Sequence, residues 1–203
     1  MHIFNEGHYQ APNVLSLENI PEKIRAALAE HLKNRLTEPF YRSLRFSTGQ
    51  FISANEKNQI YEYESRKYPS YAHRKVPSYE LCFEFSNSSV GIDSYSAEIQ
   101  FNEDGSVLDE IKLPSFRQFP QKLEFIAFQR AEAIAMAELK AKVEKAEDFD
   151  RVRLDYNLAD DSIVWVFDKF SEYKRDFYGR YWRIEISAHD GRVLNSAQGD
   201  EIY

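Results

Sequence analysis

YWRIEISAHDGRVL, residues 181–194, and YSAEIQFNEDGSVL, residues 95–108, are two versions of one pattern. In each, apolar and polar residues alternate up to an Asp-Gly pair, and Val-Leu follows. A period of two reads as a half-buried strand, and Asp-Gly reads as a hairpin turn because glycine supplies the positive φ that a tight connection needs. Ala97, Ile99 and Phe101 fall on one face of the first strand, and Trp182, Ile184 and Ile186 match them at an offset of 85. Asp104-Gly105 and Val107-Leu108 match Asp190-Gly191 and Val193-Leu194 at an offset of 86, so the second turn is one residue longer. Strand phase is conserved between the copies and the length change falls in the turn, as expected if a one-residue slip would turn the core face to solvent.

Working outward, each hairpin is preceded by further alternating runs and, before those, by a helical pattern. NIPEKIRAALAEHLKNRL (19–36) carries Ile20, Ile24, Leu28, Leu32 and Leu36 at i, i+4 spacing, with Asn19 and Glu22 as a cap pair and Pro21 in the first turn, and should stop near Glu38-Pro39. PQKLEFIAFQRAEAIAMAELKAKVEKAEDF (120–149) predicts a longer second helix, with Leu123, Ile126, Ala127, Ala131, Ile134 and Ala141 on one stripe. After the first helix come RSLRFS, QIYEYES, SYELCFEFS, YSAEIQFN and SVLDEIKL; after the second come RVRLDYNL, SIVWVFDKF, YWRIEISA and RVLNSA. The expected fold is therefore α+β, two similar helix-plus-antiparallel-sheet units over 1–118 and 119–203, parted in the proline-bearing stretch 114–121. Whether the units fuse into one body or stay apart is left open by the sequence.

The segment from Gln121 to about Ala197 resembles the PepSY-type domain, on Tyr181, Trp182, Ile184, Ile186, Asp190, Gly191, Val193 and Leu194, and residues 79–113 echo it. The resemblance implies a sheet wrapping a helix, cystatin-like in form, in binding or inhibitory modules without catalytic residues that are usually secreted or envelope-associated. It supplies no site residue.

Composition narrows the function classes. With 43% hydrophobic and 15% aromatic residues in 203, the chain can bury a core. Net charge is −7, spread as 13 Lys/Arg against 16 Asp/Glu up to residue 118 and 13 against 17 after it, so no basic arm exists and nucleic acid is not the expected partner. Cys82 stands alone, which excludes an internal disulfide and suits a reducing compartment. No run approaches the roughly 20 apolar residues of a membrane span, and MHIFNEGHYQAPN has no signal-peptide pattern, so the expectation is a soluble cytoplasmic protein of bacterial type with no membrane partner.

Signatures of chemistry are missing from the sequence. The seven glycines form neither phosphate-cradling pattern, and no nucleophile elbow occurs. Cys82 shares its strand face with Glu80 and Glu84, two acids that would raise rather than lower a thiol pKa. The histidines (His2, His8, His31, His73, His189) have no metal-ligand spacing, and His189 reads as an exposed turn residue. Neither Asp-Gly turn can be a calcium loop, because Ile111 and Ala197 fall where a bidentate glutamate belongs. Asp148/Asp150 and Asp160/Asp161 read as solvated loop charges. The Asn87-Ser88-Ser89 sequon matters only in a secreted eukaryotic chain. No catalytic residue, metal ligand or cofactor is therefore expected.

What stands out is YEYESRKYPSYAHRKVPSY (61–79) and EYKRDFYGRYW (172–182), where tyrosines interleave with basic residues. Tyr and Arg anchor protein interfaces. The candidate binding residues are Arg66, Tyr68, Tyr71, Arg74, Tyr173, Arg175, Tyr178 and Arg180. The leading expectation is a non-enzymatic protein-binding module, by analogy an inhibitor or immunity-type protein, since acidity suits a basic target. The alternatives are a small-molecule binder or enzyme with a pocket between sheet and long helix, or a homo-oligomer whose strand edges pair.

Overall fold

The computed structural model of the chain describes residues 14–67, 75–143, 147–174 and 178–202. The fold is α+β: among the described residues, four α-helices accompany a five-stranded and a four-stranded antiparallel sheet. The helices are α1 Glu22–Arg35, α2 Glu38–Ser43, α3 Ala54–Lys67 and α4 Phe128–Lys140. The strands are β1 Val14–Leu15, β2 Arg45–Phe51, β3 Tyr79–Asn87, β4 Ile92–Phe101, β5 Val107–Asp109, β6 Arg151–Asn157, β7 Ser162–Lys174, β8 Tyr178–Ser187 and β9 Val193–Ile202. Strand order follows chain order in both sheets, β1 to β5 and β6 to β9.

The chain divides into two compact units. The first takes in the described residues up to Asn34, Glu38–Phe85 and Ser96–Lys112; the second takes in Arg35–Thr37, Ser86–Tyr95 and the chain from Leu113 onward.

In the first unit the apolar stripe of α1 behaves as its spacing predicts, with Ile24, Leu28 and Leu32 all buried. Leu81 on β3 and Ala97, Ile99 and Phe101 on β4 are wholly buried, and the polar residues between them take the other sheet face. Gly105 turns the chain at φ 85°, and Asp104 Oδ1 accepts the Ser106 N–H at 2.9 Å. A Cβ on Gly105 would stand 3.4 to 3.8 Å from Lys23 and Ile24, so the turn rests on α1.

The second unit repeats this arrangement. Gly191 has φ 80°, and Asp190 Oδ1 accepts the Arg192 N–H at 3.1 Å. A Cβ there would meet Ile134 of α4 at 3.1 Å and Ile126 at 3.3 Å. The register agrees in detail. Phe101 pairs with Val107 and Gln100 with Asp109, with an irregularity between them; Ile186 pairs with Val193 and Glu185 with Asn195, with the same irregularity at the same place. The second turn is one residue longer, as the sequence offsets require. Helix α4 lies against β7 through Phe128, whose ring centroid is 5.0 Å from that of Trp165 and 6.1 Å from that of Phe167.

Three sequence expectations change. QIYEYES, which alternates like a strand, lies in α3, because Ser53 and Glu56 form a capping box: the Ser53 N–H donates to Glu56 Oε2 at 2.7 Å and the Glu56 N–H to Ser53 Oγ at 3.4 Å. The second helix is shorter than its composition suggests. A 3-10 turn over Pro120–Leu123 precedes α4, whose buried stripe is Ala131, Ala135 and Leu139, leaving Ala127 and Ala141 exposed. The first helix ends at Arg35, and Glu38-Pro39 opens α2.

Candidate functional site

The face of the second sheet turned away from α4 is organised around one carboxylate. Asp168 interrupts the apolar run of β7 and has no exposed surface. Its cross-strand partners are Arg151 on β6 and Arg183 on β8, and residues paired across strands share a face. Arg151 donates from Nε at 2.9 Å and Nη2 at 2.7 Å, and Arg153 from Nη1 at 2.6 Å, all to Oδ2; Arg183 donates from Nε at 2.8 Å to Oδ1. Burial alone would raise the Asp168 pKa, but the hydrogen bonds from Arg183, Arg151 and Arg153 outweigh it and hold the carboxyl below its usual range, so it is ionised.

Two rings border the row. The Arg183 guanidinium carbon lies 4.7 Å from the Tyr181 ring centroid, that of Arg151 lies 5.5 Å from Phe170, and the two rings meet edge to face at 6.2 Å. Arginine stacked on aromatic faces is the composition found at the centre of protein interfaces. The arginine side chains retain 36%, 33% and 25% exposure at 151, 153 and 183, so the guanidiniums reach solvent where the carboxylate does not.

The residues singled out from the sequence are distributed elsewhere. Arg66 is exposed on α3, 3.6 Å from Glu62, and Arg180 is exposed on β8, 3.5 Å from Asp200. Tyr173 and Tyr178 lie on neighbouring strands, with Tyr173 opposite Gly179 and Tyr178 opposite Lys174. Tyr68, Tyr71, Arg74 and Arg175 lie outside the described residues. The Arg151, Arg153, Asp168 and Arg183 constellation was not singled out. Its one trace in the sequence is an aspartate inside the apolar run SIVWVFDKF.

Cys82, His189 and Asp161 are each engaged by neighbouring groups of the fold. On the face of the first sheet opposite Leu81, the ligand atoms of Glu80, Cys82 and Glu98 lie within 4.8 Å of one another. Gln100 Nε2 donates to Glu98 Oε1 at 2.6 Å and reaches Glu80 Oε2 at 3.4 Å. An amide donor aimed into the group has the wrong polarity for a cation. Burial first, then Glu98 and Glu80, push the Cys82 thiol up to about 12, which keeps it protonated at neutral pH. The direction is the one expected from the sequence, but burial leads and Glu98 on β4 acts with Glu80 where Glu84 was expected. Burial first and Glu98 second push the Glu80 carboxyl up to about 7.

His189 differs from its expected exposure. It is 8% exposed, packed against Phe125 and Phe116 at ring distances of 4.8 and 6.2 Å. Asp161 is likewise not a solvated loop charge. Arg35 Nη2 donates to its Oδ1 at 2.6 Å, the Ser115 N–H donates to Oδ2 at 2.9 Å, and the Tyr156 hydroxyl donates to Oδ1. Asp148 and Asp150 both accept from Lys169 Nζ, at 2.8 and 3.2 Å.

No family model, curated protein or solved structure matches the chain. No described helix is long and apolar enough to cross a membrane.

Proposed function

We propose that this chain is a non-enzymatic binding module that holds a protein partner on the arginine-aromatic face of its second sheet. The observation that carries the reading is the row Arg151, Asp168, Arg183, with Arg153 beside it and Phe170 and Tyr181 at its border. Three solvent-reaching guanidiniums fixed by one buried acid offer oriented donors at little further cost in side-chain entropy. The employment of Cys82, His189 and Asp161 in structure supports a role without catalysis. Tyr181 falls inside the stretch 172–182, so the Tyr/Arg reading is kept there and its centre moves toward residues 181–183, while Arg180, next to Tyr181 on β8, alternates onto the other face and lies 3.5 Å from Asp200.

The likeness of the two Asp-Gly hairpins, each resting on its own unit's helix, supports a PepSY-like duplicated unit. A lone thiol held protonated suits the cytoplasm.

The test is cross-linking of the untagged protein in extract of its native host, comparing wild type with Tyr181→Ala/Arg183→Ala. A stoichiometric protein lost in the variant supports the module. A small molecule retained by both forms, with no protein partner, moves the function to a pocket.

A further inference from the structure

We infer that the outer edge of β9 is a surface for a second copy of this chain, which adds its own β9 antiparallel, and that Lys142 is the guard that keeps this edge closed in the single chain. Edge pairing of this kind makes no use of the arginine face. Among the described residues β9 pairs with β8 alone, in unbroken register from Asn195 to Ile202. An edge of that length offers a row of free N–H and C=O groups, which proteins ordinarily blunt with lysine, proline or a bulge. The strand itself, VLNSAQGDEI, holds no lysine, arginine or proline, and its one irregularity falls before Asn195.

The protection comes from outside the strand. On β8 the Ser187 N–H is given to Arg192 of the hairpin and the Ala188 N–H to Ile163 of β7, so alternate residues of β8 face β9. Glu185 and Arg183 therefore bond their partners Asn195 and Ala197, and the backbone groups of Ser196 and Gln198 point outward. Lys142, just past the end of α4, donates from Nζ to that outward Ser196 carbonyl at 3.0 Å. Glu138 at 3.3 Å and the Trp182 ring, whose centroid is 5.3 Å from Nζ, hold the ammonium in place. An added strand would bring a backbone nitrogen to about 2.9 Å from the same oxygen, so it has to displace Lys142.

A second copy is the occupant the edge selects. In antiparallel pairing about a twofold axis, residues equally far from the axis stand opposite one another, and Arg192 and Asp200 each lie four positions from Ser196. An axis at Ser196 thus sets the exposed Asp200 of each copy toward the exposed Arg192 of the other, with no acid facing an acid. Arg192 also meets Asp190 and Asp160, and Asp200 meets Arg180, so these charges fix register more than they add affinity. The Ser196 hydroxyl is buried and has no hydrogen-bond partner among the described residues. On the axis it faces the same hydroxyl of the second copy, and serines opposed across strands bond one another. The two Lys142 ammoniums converge on that axis as well, so the guard acts from both sides by like-charge repulsion.

The experiment is sedimentation velocity of the full chain across a wide range of concentration, for wild type, Lys142→Gln and Lys142→Arg, with circular dichroism confirming the fold. The expected result is a closed dimer of Lys142→Gln that is tighter by about tenfold or more than any formed by wild type or Lys142→Arg. Adding Gln198→Lys, which returns a lysine to the edge, should restore the monomer. Association of wild type or Lys142→Arg equal to that of Lys142→Gln, a Lys142→Gln chain that stays monomeric, open-ended oligomers in place of a dimer, or a dimer indifferent to Gln198→Lys would each overturn the inference. Should Lys142→Gln unfold, Lys142→Met takes its place, keeping the stem and losing the charge, with the same outcomes read from it. If the freed edge takes up another protein from host extract and not its own copy, the second copy as occupant is overturned.

Discussion

His189 Nε2 accepts a hydrogen bond from the backbone N–H of Ile163, 3.2 Å away and 26 positions earlier in the chain. With Nε2 an acceptor, the ring proton sits on Nδ1 and is donated to the Glu124 carbonyl at 3.3 Å. The imidazole thus joins the start of β7 to the segment leading into α4, and it does so only while neutral.

Protonation of His189 should destabilise the second unit. Burial pushes its pKa down to about 4 from an ordinary 6.5. Between those values the unfolded chain binds the proton and the folded one does not, so stability rises with pH through that window and is flat below it. The loss approaches about 3 kcal/mol once the pH is under 4. Urea midpoints of wild type and His189→Gln from pH 4 to 8 check this: the variant's curve should lack the rise between 4 and 6.5.

Glu80 should act in the opposite sense on the first unit. Its carboxyl, raised from 4.5 to about 7, keeps its proton in the folded state where the unfolded chain has lost it, so the contribution is greatest below pH 4.5 and is lost as pH rises through 7. Glu80→Gln, which imitates the protonated form, should be at least as stable as wild type at pH 8 and show a flatter pH dependence of its unfolding midpoint.

Asp168 holds three like charges together. Asp168→Asn keeps the shape and removes the compensation, so unfolding should become easier by about 1–3 kcal/mol, less than for a fully buried stranded charge because the three guanidiniums reach solvent. Adding Arg153→Gln should recover part of that loss, because the repulsion left behind is reduced. A double-mutant cycle in urea gives the coupling.

The two turn glycines should differ in tolerance. Both have positive φ, and alanine there costs about 1–2 kcal/mol from the backbone alone. A Cβ at Gly105 meets α1 at ordinary contact distance, whereas at Gly191 it stands 3.1 Å from Ile134, so Gly191→Ala should be the more destabilising by thermal melt.

The hairpins, the repeat and the core faces were legible in the sequence because each is set locally: Asp104 and Asp190 are each followed by glycine, and alternation assigns Ala97, Ile99, Phe101, Ile184 and Ile186 to the buried face. α3 was misread because Tyr61 and Tyr63 recur at a period of two, and the contrary signal, Ser53 and Glu56, is a capping pair of only two residues. The arginine row was illegible for another reason. Arg151 and Arg183 are far apart in sequence, and only the registers of β6 and β8 against β7 bring both beside Asp168. His189 sits in the turn class that favours exposure, and its burial follows from Phe116 and Phe125, which the sequence does not place beside it.

Cys82 belongs to the first unit, and both tryptophans, Trp165 and Trp182, belong to the second. A thiol held near 12 stays protonated at neutral pH, so it should meet an alkylating reagent at an appreciable rate only when the first sheet opens. Alkylation of the native chain therefore times the opening of one unit while indole fluorescence times that of the other. The wild-type protein carries its own pair of separate clocks, and whether they run together states directly whether the duplicated halves unfold as one cooperative body.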